Sequence, residues 1–225
     1  MQNQIRIVST KKLSEKQKHQ LLSADFSVFE EDFISTRNKD FEIETINDYL
    51  IFTSQNAVES FLKNKKAAEI KIIKCFCVGE KTKELLEHNG FDVIEYSDYA
   101  AELASTICNQ YSKNSFTFFC GNMRRDVLPD ALRLVEITFD EIEVYETILT
   151  THKTDFVSDG ILFFSPSGVR SYLQENKIED EICFCIGNTT AEALKYITPN
   201  RIIANQPTME SVVMKCIEYY RQQND

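Results

Sequence analysis

The chain has 225 residues, 43% hydrophobic and 27% charged, with a formal net charge of −10, the balance of a globular protein holding one large domain or two small ones. The negative charge argues against nucleic acid as the main partner, because binding there rests on neutralising phosphates. No apolar run reaches the roughly 18 residues of a membrane span, the N-terminus MQNQIRIVSTKKLSEK lacks the apolar stretch of a signal peptide, and the seven cysteines therefore read as reduced thiols of a cytoplasmic protein.

In chain order, Ile5 to Val8 reads as a strand, followed by a charged helix from about Ser14 to Ala24. Tyr49 to Phe52 and Cys75 to Val78 are short continuous apolar runs, the pattern of parallel strands covered on both faces. A helix follows each, and Asn89-Gly90 supplies a C-cap signal for the second. Phe91 to Glu95 is a strand with a helix from about Tyr99 to Gln110 behind it. Phe116 to Cys120 is another, after which Gly121-Asn122 is expected to open a helix running to about Val135. Ile161 to Phe164 and Cys183 to Ile186 are strands again, and Thr208 to Arg221 is a closing helix with Val212, Val213, Cys216 and Ile217 on one side.

The chain contains itself twice. YLIFTSQNAVESFL and KCFCVGEKTKELLEHNGF return as ILFFSPSGVRSYL and ICFCIGNTTAEALKYI. Ser54 matches Ser165, Val58 matches Val169, Gly79 matches Gly187 and Thr82 matches Thr190. Two related α/β units explain this most simply. Ser165 before Pro166 is an N-cap serine with proline at the first helical position, and Ser54 should cap its helix by the same logic. Gly79 and Gly187 sit where a tight turn calls for a permissive residue. Two segments fit neither unit: Phe33 to Lys39 and Glu143 to Thr147, both extended polar-apolar alternations where the chain would cross between domains.

No conventional catalytic set is present: there is no G-x-S-x-G, Walker loop or G-x-G-x-x-G. His19, His88 and His152 read as structural or solvent-facing. The repeated Cys-Phe-Cys puts two thiols on one side of each strand, which suits packing better than metal, since C-x-C is not a common zinc spacing. What remains is a set of strand-to-helix turns: Thr53, Ser54, Gln55 and Asn56; Gly79, Lys81 and Thr82; Gly121 and Asn122; Ser165, Pro166, Ser167 and Gly168; Gly187, Thr189 and Thr190. In a parallel sheet such turns line the carboxyl edge, where ligands bind. Helix N-termini there offer free N–H groups to carboxylates, so an acidic protein can hold an acidic ligand. Arg124 and Arg125 stand nearby as side-chain partners for carboxylates.

The ordered motifs IFTSQNAV, CVGEKT, FCGNMRRDVLPDAL, VYET, FFSPSGV, CIGNTTAEAL and PTMESVV resemble those of the uroporphyrinogen-III synthases. The resemblance covers most of the chain from about Leu50 onward. It implies an α/β fold of two similar three-layer α/β/α domains with parallel sheets in flavodoxin-like order, joined by a two-strand antiparallel linker. The first domain would be discontinuous, residues 1–32 and 148–225; the second would be 40–142, with linker strands 33–39 and 143–147. It implies a cofactor-free, metal-free hydro-lyase, monomeric, that closes hydroxymethylbilane with inversion of ring D and loss of water. Tyr145, in VYET, matches the family's tyrosine on the second linker strand and becomes the candidate catalytic residue, its neutral phenol donating to the leaving hydroxyl. Two other readings stay open at this point: a non-catalytic two-domain binder of an anionic small molecule, and, more weakly, a nucleotide-dependent transferase.

Overall fold

A computed structural model describes residues 4–224; residues 1–3 and 225, the ends of the expected first domain, lie outside the described residues. The chain divides into two compact units, Met1–Ser35 with Ile148–Asp225, and Thr36–Thr147.

The first unit carries strands β1 (Arg6–Ser9) and β2 (Ser27–Glu30), separated by helix α1 (Glu15–Ser23). The chain leaves through β3 (Ile34–Asn38) into the second unit. There it forms β4 (Tyr49–Phe52), α2 (Gln55–Phe61), β5 (Cys75–Val78), α3 (Glu80–His88), β6 (Val93–Ser97), α4 (Ala100–Gln110), β7 (Phe116–Gly121), α5 (Val127–Leu134) and the long β8 (Phe139–Leu149). It returns to the first unit as β9 (Gly160–Phe163), α6 (Pro166–Glu175), β10 (Ile182–Cys185), α7 (Asn188–Glu192), β11 (Arg201–Ile203) and α8 (Met209–Asn224). The sequence reading misses β2 and β11: neither Ser27–Glu30 nor Arg201–Ile203 is a continuous apolar run, because both are sheet edges with no fully buried residue.

The first sheet has the order β11-β10-β9-β1-β2, all parallel. By order of appearance within the unit this is 2-1-3-4-5, the flavodoxin arrangement. The second sheet runs β3-β8-β7-β4-β5-β6, with β4 to β8 parallel. Here the order is 3-2-1-4-5, so flavodoxin-like order holds for the first unit and not for the second. The repeat explains the difference. Placing β4-α2-β5-α3 on β9-α6-β10-α7 puts β6 on β11, β7 on β1 and β8 on β2. The sheets share one spatial plan, and the second unit is a circular permutation of the first. It joins α4 to β7 directly, where the first unit has the two ends of the chain.

Each unit has three layers. In the second, Leu50, Phe52, Cys75 and Cys77 pack with Val58, Phe61 and Leu86 on the α2/α3 face. Ile51, Phe76, Phe116 and Phe118 pack with Leu103, Ile107, Leu128 and Leu132 on the α4/α5 face. In the first unit Val8, Ile161, Phe163, Cys183 and Cys185 meet α6 and α7, while Ile7, Leu162 and Phe184 meet α1 and α8. Both Cys-Phe-Cys runs thus point two thiols at one helical layer and the phenylalanine at the other, the alternation of a strand buried on both faces. Among the described residues no group of three or more His, Cys, Asp or Glu converges as a metal site.

Candidate functional site

Each sheet has its own carboxyl edge. In the second unit β4 is the switch strand: the chain moves to one side of it through β5 and β6, then to the other through β7 and β8. Ligands of open α/β sheets bind outside the strand ends at such a point. Thr53 and Ser54 follow β4 and are half-buried; Gln55 and Asn56 are exposed. Ser54 is extended (φ −157°, ψ 150°) and caps α2, its Oγ accepting the Ala57 N–H at 3.1 Å. The same Oγ donates to the Tyr145 Oη at 3.2 Å.

Tyr145 stands where it does because of a β-bulge. Cys120 pairs with Glu143 and Gly121 with Tyr145, so Val144 has no opposite number in β7. Adjacent residues of a regular strand point to opposite faces; a bulge breaks that alternation. Val144 is buried in the α2/α3 cluster, and Tyr145 packs against the same cluster. The Val144 carbonyl accepts from Ser60 Oγ and from the Lys39 N–H, which anchors the bulge. The tyrosine ring covers Gly121: an added β-carbon there would lie 2.7 and 2.8 Å from Cε1 and Cε2.

Gly121 and Asn122 are read from sequence as helix openers and ligand contacts. The structure corrects the first expectation: α5 begins only at Val127. The intervening residues are held elsewhere. The Asn122 N–H donates to the Tyr145 carbonyl at 3.3 Å, its Oδ1 accepts the Thr147 N–H at 2.8 Å, and its Nδ2 donates to the Thr147 carbonyl at 3.3 Å. Arg124 is likewise engaged internally: its Nε and Nη2 reach Glu141 Oε1 at 3.1 and 2.5 Å, and Asp126 lies 3.5 Å away. Arg125 is exposed and, among the described residues, forms no ion pair. At α3, Gly79 has φ 87°, a left-handed backbone that favours glycine, while Lys81 is exposed and Thr82 buried.

The first unit's edge lies beside β9 and β1. Ser165 caps α6, accepting the Gly168 N–H at 3.0 Å, with Ser167 Oγ 3.0 Å away and Pro166 at the first helical position. Thr10, after β1, packs against Gly168 and donates its hydroxyl to the Leu162 carbonyl at 2.8 Å. Sequence reasoning missed Thr10 and the exposed Lys11; the polar STKK run directly after an apolar strand is the signal that finds them. Gly187 has φ −175°, which any residue adopts, and nothing stands within 4 Å of a β-carbon placed there. The expectation that this turn requires glycine is therefore corrected: Gly79 needs its freedom and Gly187 does not. Thr189 is half-buried, and the buried Thr190 Oγ1 has no hydrogen-bond partner among the described residues. His19, near Ser23, and His88, in the last turn of α3, lie away from both edges, whereas His152 packs on Phe33 just beyond the carboxyl end of β2, its Nε2 3.2 Å from the Asp32 carbonyl.

Doubly wound α/β sheets bind ligands outside the carboxyl ends of their strands, and in this protein both such edges are serine-capped and hydroxyl-rich. The family model described as uroporphyrinogen-III synthase HemD matches residues 16–214, and the chain belongs to that family. The porphyrin biosynthesis protein HemD of Ruminiclostridium josui is 26% identical over 200 residues, 78% of this chain and 39% of that protein. The uroporphyrinogen-III synthase of Saccharomyces cerevisiae is 25% identical over 162 residues, 59% of this chain and 58% of that one. The chain thus spans less than two thirds of either relative's length. Several solved structures share the fold. The uroporphyrinogen-III synthetase of Helicobacter pylori has a TM-score of 0.71 at 21% identity, covering 96% of this chain and 99% of its own. A mutant uroporphyrinogen III synthase of Thermus thermophilus has a TM-score of 0.74 at 12% identity, covering 97% and 99%.

Proposed function

We propose that this chain is a uroporphyrinogen-III synthase: it binds hydroxymethylbilane, promotes loss of its hydroxyl as water, and closes the ring with inversion of ring D. The observation that carries the reading is the family match along residues 16–214. Support from the site is the phenol of Tyr145 at the switch point, beside a turn whose first N–H groups have no helical acceptor.

The chemistry asks little of side chains. Tyr145 gives its proton to the leaving hydroxyl, the C–O bond breaks with its electron pair on oxygen, and the pyrrole nitrogen, keeping its own proton, supplies electrons to form a protonated azafulvene. The substituted carbon of the terminal ring attacks, giving a spiro intermediate that fragments and recloses with ring D inverted. The proton lost on the final closure restores the phenol. Left alone the azafulvene closes without rearrangement, so orientation is the main contribution, with modest acid assistance. The turns at Thr53–Asn56, Gly79–Thr82, Ser165–Gly168 and Gly187–Thr190 hold substrate carboxylates through backbone N–H groups, with Arg125 as a further partner. The reading includes no cofactor or metal, a monomer, and the cytoplasm; among the described residues no helix is long and apolar enough to cross a membrane.

The test is a coupled assay that generates hydroxymethylbilane and separates the product isomers. Purified chain alone, without metal or nucleotide, is expected to shift the product from isomer I to isomer III. Folded protein that leaves isomer I unchanged overturns the proposal.

A further inference from the structure

We infer that Ser54 and Asn122 are positioning residues for Tyr145: Ser54 directs its own proton at the phenol oxygen, and Asn122 fixes the bulge that carries the ring. This rests on the reading of Tyr145 as the proton donor and adds the machinery that makes it one.

A serine hydroxyl has one proton and two acceptor sites. One acceptor site of Ser54 Oγ is taken by the Ala57 N–H of its own helix. Its proton points to Tyr145 Oη at 3.2 Å. The phenol oxygen therefore accepts from inside the protein, and its own proton is free for an outside acceptor. A hydrogen bond received by that oxygen also stabilises the negative charge that develops as the proton departs. An acceptor in place of Ser54 would do the reverse and draw the phenol proton inward.

The ring's placement depends on a second set of contacts. Val144 is unpaired in the β7/β8 register, and beyond it the ladder holds Tyr145 by a single last pair, with Gly121. Asn122 closes the far side of the bulge with three bonds: N–H to the Tyr145 carbonyl, Oδ1 from the Thr147 N–H, and Nδ2 to the Thr147 carbonyl. Both ends of its side-chain amide are used on β8. Gly121, one residue earlier, leaves the space that the ring fills. Ser54, Gly121 and Asn122 come from the ends of two adjacent strands, β4 and β7, so they hold the phenol from two sides. Orientation errors of about 1 Å can cost about 100-fold in rate, so loosening this seat should appear in turnover.

The experiment is a pair of double-mutant cycles on the intact chain, read as kcat and KM for isomer III formation from hydroxymethylbilane. Ser54→Ala and Asn122→Ala are each expected to lower kcat about tenfold with KM within about twofold, because the lost contacts bear on the transition state more than on binding. Ser54→Thr, which keeps the hydroxyl, should recover most of the rate. In a Tyr145→Phe background both alanine substitutions should cost almost nothing further in kcat, since no proton remains to be aimed. The cycle also removes the loss of the Ser54 helix cap, which weighs equally in both backgrounds. Thermal melts confirm that each variant is folded. Equal kcat losses with and without the Tyr145 hydroxyl would overturn the positioning role while leaving Tyr145 as the donor. Wild-type turnover by Tyr145→Phe would remove the donor role and this inference with it.

Discussion

The ring of Tyr145 fills the space that a side chain at Gly121 would need. A β-carbon there would stand under 3 Å from three atoms of the phenol ring, closer than real β-carbons come. Gly121 is itself buried, so the ring has no direct way to give ground without leaving its bond to Ser54.

Gly121→Ala is therefore expected to destabilise the second unit by about 1–3 kcal/mol, the usual cost of overpacking. Activity should fall further than stability explains, because the displaced group is the proposed donor. In a Tyr145→Ala background the same substitution should cost almost nothing further, since the obstructing ring is gone. Urea unfolding of the three variants checks this; a double variant clearly less stable than Tyr145→Ala alone would place the clash elsewhere.

Much of the fold is legible in the sequence because its central strands are continuous apolar runs. Tyr49–Phe52 and Cys75–Val78 appear where the pattern puts them, and Ser54, Ser165 and Asn89-Gly90 cap helices as their chemistry predicts. The edge strands β2 and β11 are not legible, since they bury too little to leave a pattern. The strand order of the second unit is not legible either. A repeat reports likeness, and only the pairing of β4 with β7 reveals that one unit is a permuted form of the other. At the site, the sequence offers Gly121 and Asn122 as ligand-facing residues. Their bonds to β8 depend on a bulge at Val144 that no local signal announces.

The paired Cys-Phe-Cys runs lead to a chemical test. Burial pushes the thiols of Cys77 and Cys185 up to about 12, and those of Cys75, Cys183 and Cys216 higher still. A raised folded-state value means that the reactive thiolate is scarce at pH 8. Alkylation of the native chain by iodoacetamide at that pH should be slow at all five, with the half-buried Cys108 the first to react. In denaturant all seven should react together. Mass spectrometry after timed quenching reads the order; fast native labelling at Cys75 or Cys183 would contradict packing as their role.

The two neighbouring arginines should separate cleanly. Arg124 is committed to Glu141, which also receives Arg133 at 3.3 Å. Arg124→Gln is expected to lower stability by about 1–3 kcal/mol, the range for charge-assisted bonds, with KM little changed. Arg125→Gln should leave the melting temperature within a degree or two, as exposed substitutions do, and raise KM several-fold if its charge meets a substrate carboxylate. Melting curves and steady-state kinetics on the two variants decide it. Reversed effects would exchange their roles.

A chain of net charge −10 has few basic side chains to spare for substrate carboxylates, which leaves backbone N–H groups as the proposed donors. Gln55 and Asn188 are the first residues of α2 and α7, where N–H groups lack a helical acceptor. Proline at such a position fits the helix and deletes only the donor. The residues before them, Ser54 and Gly187, are already extended (φ −157° and −175°), as a following proline requires. Gln55→Pro and Asn188→Pro should thus stay folded and raise KM several-fold if backbone donors bind the carboxylates. Gln55→Ala and Asn188→Ala keep the N–H groups and should bind nearly as well as the parent. Normal KM in both proline variants, with large losses in both alanine variants, would mean that side chains hold the substrate. The backbone account of these edges would then be wrong.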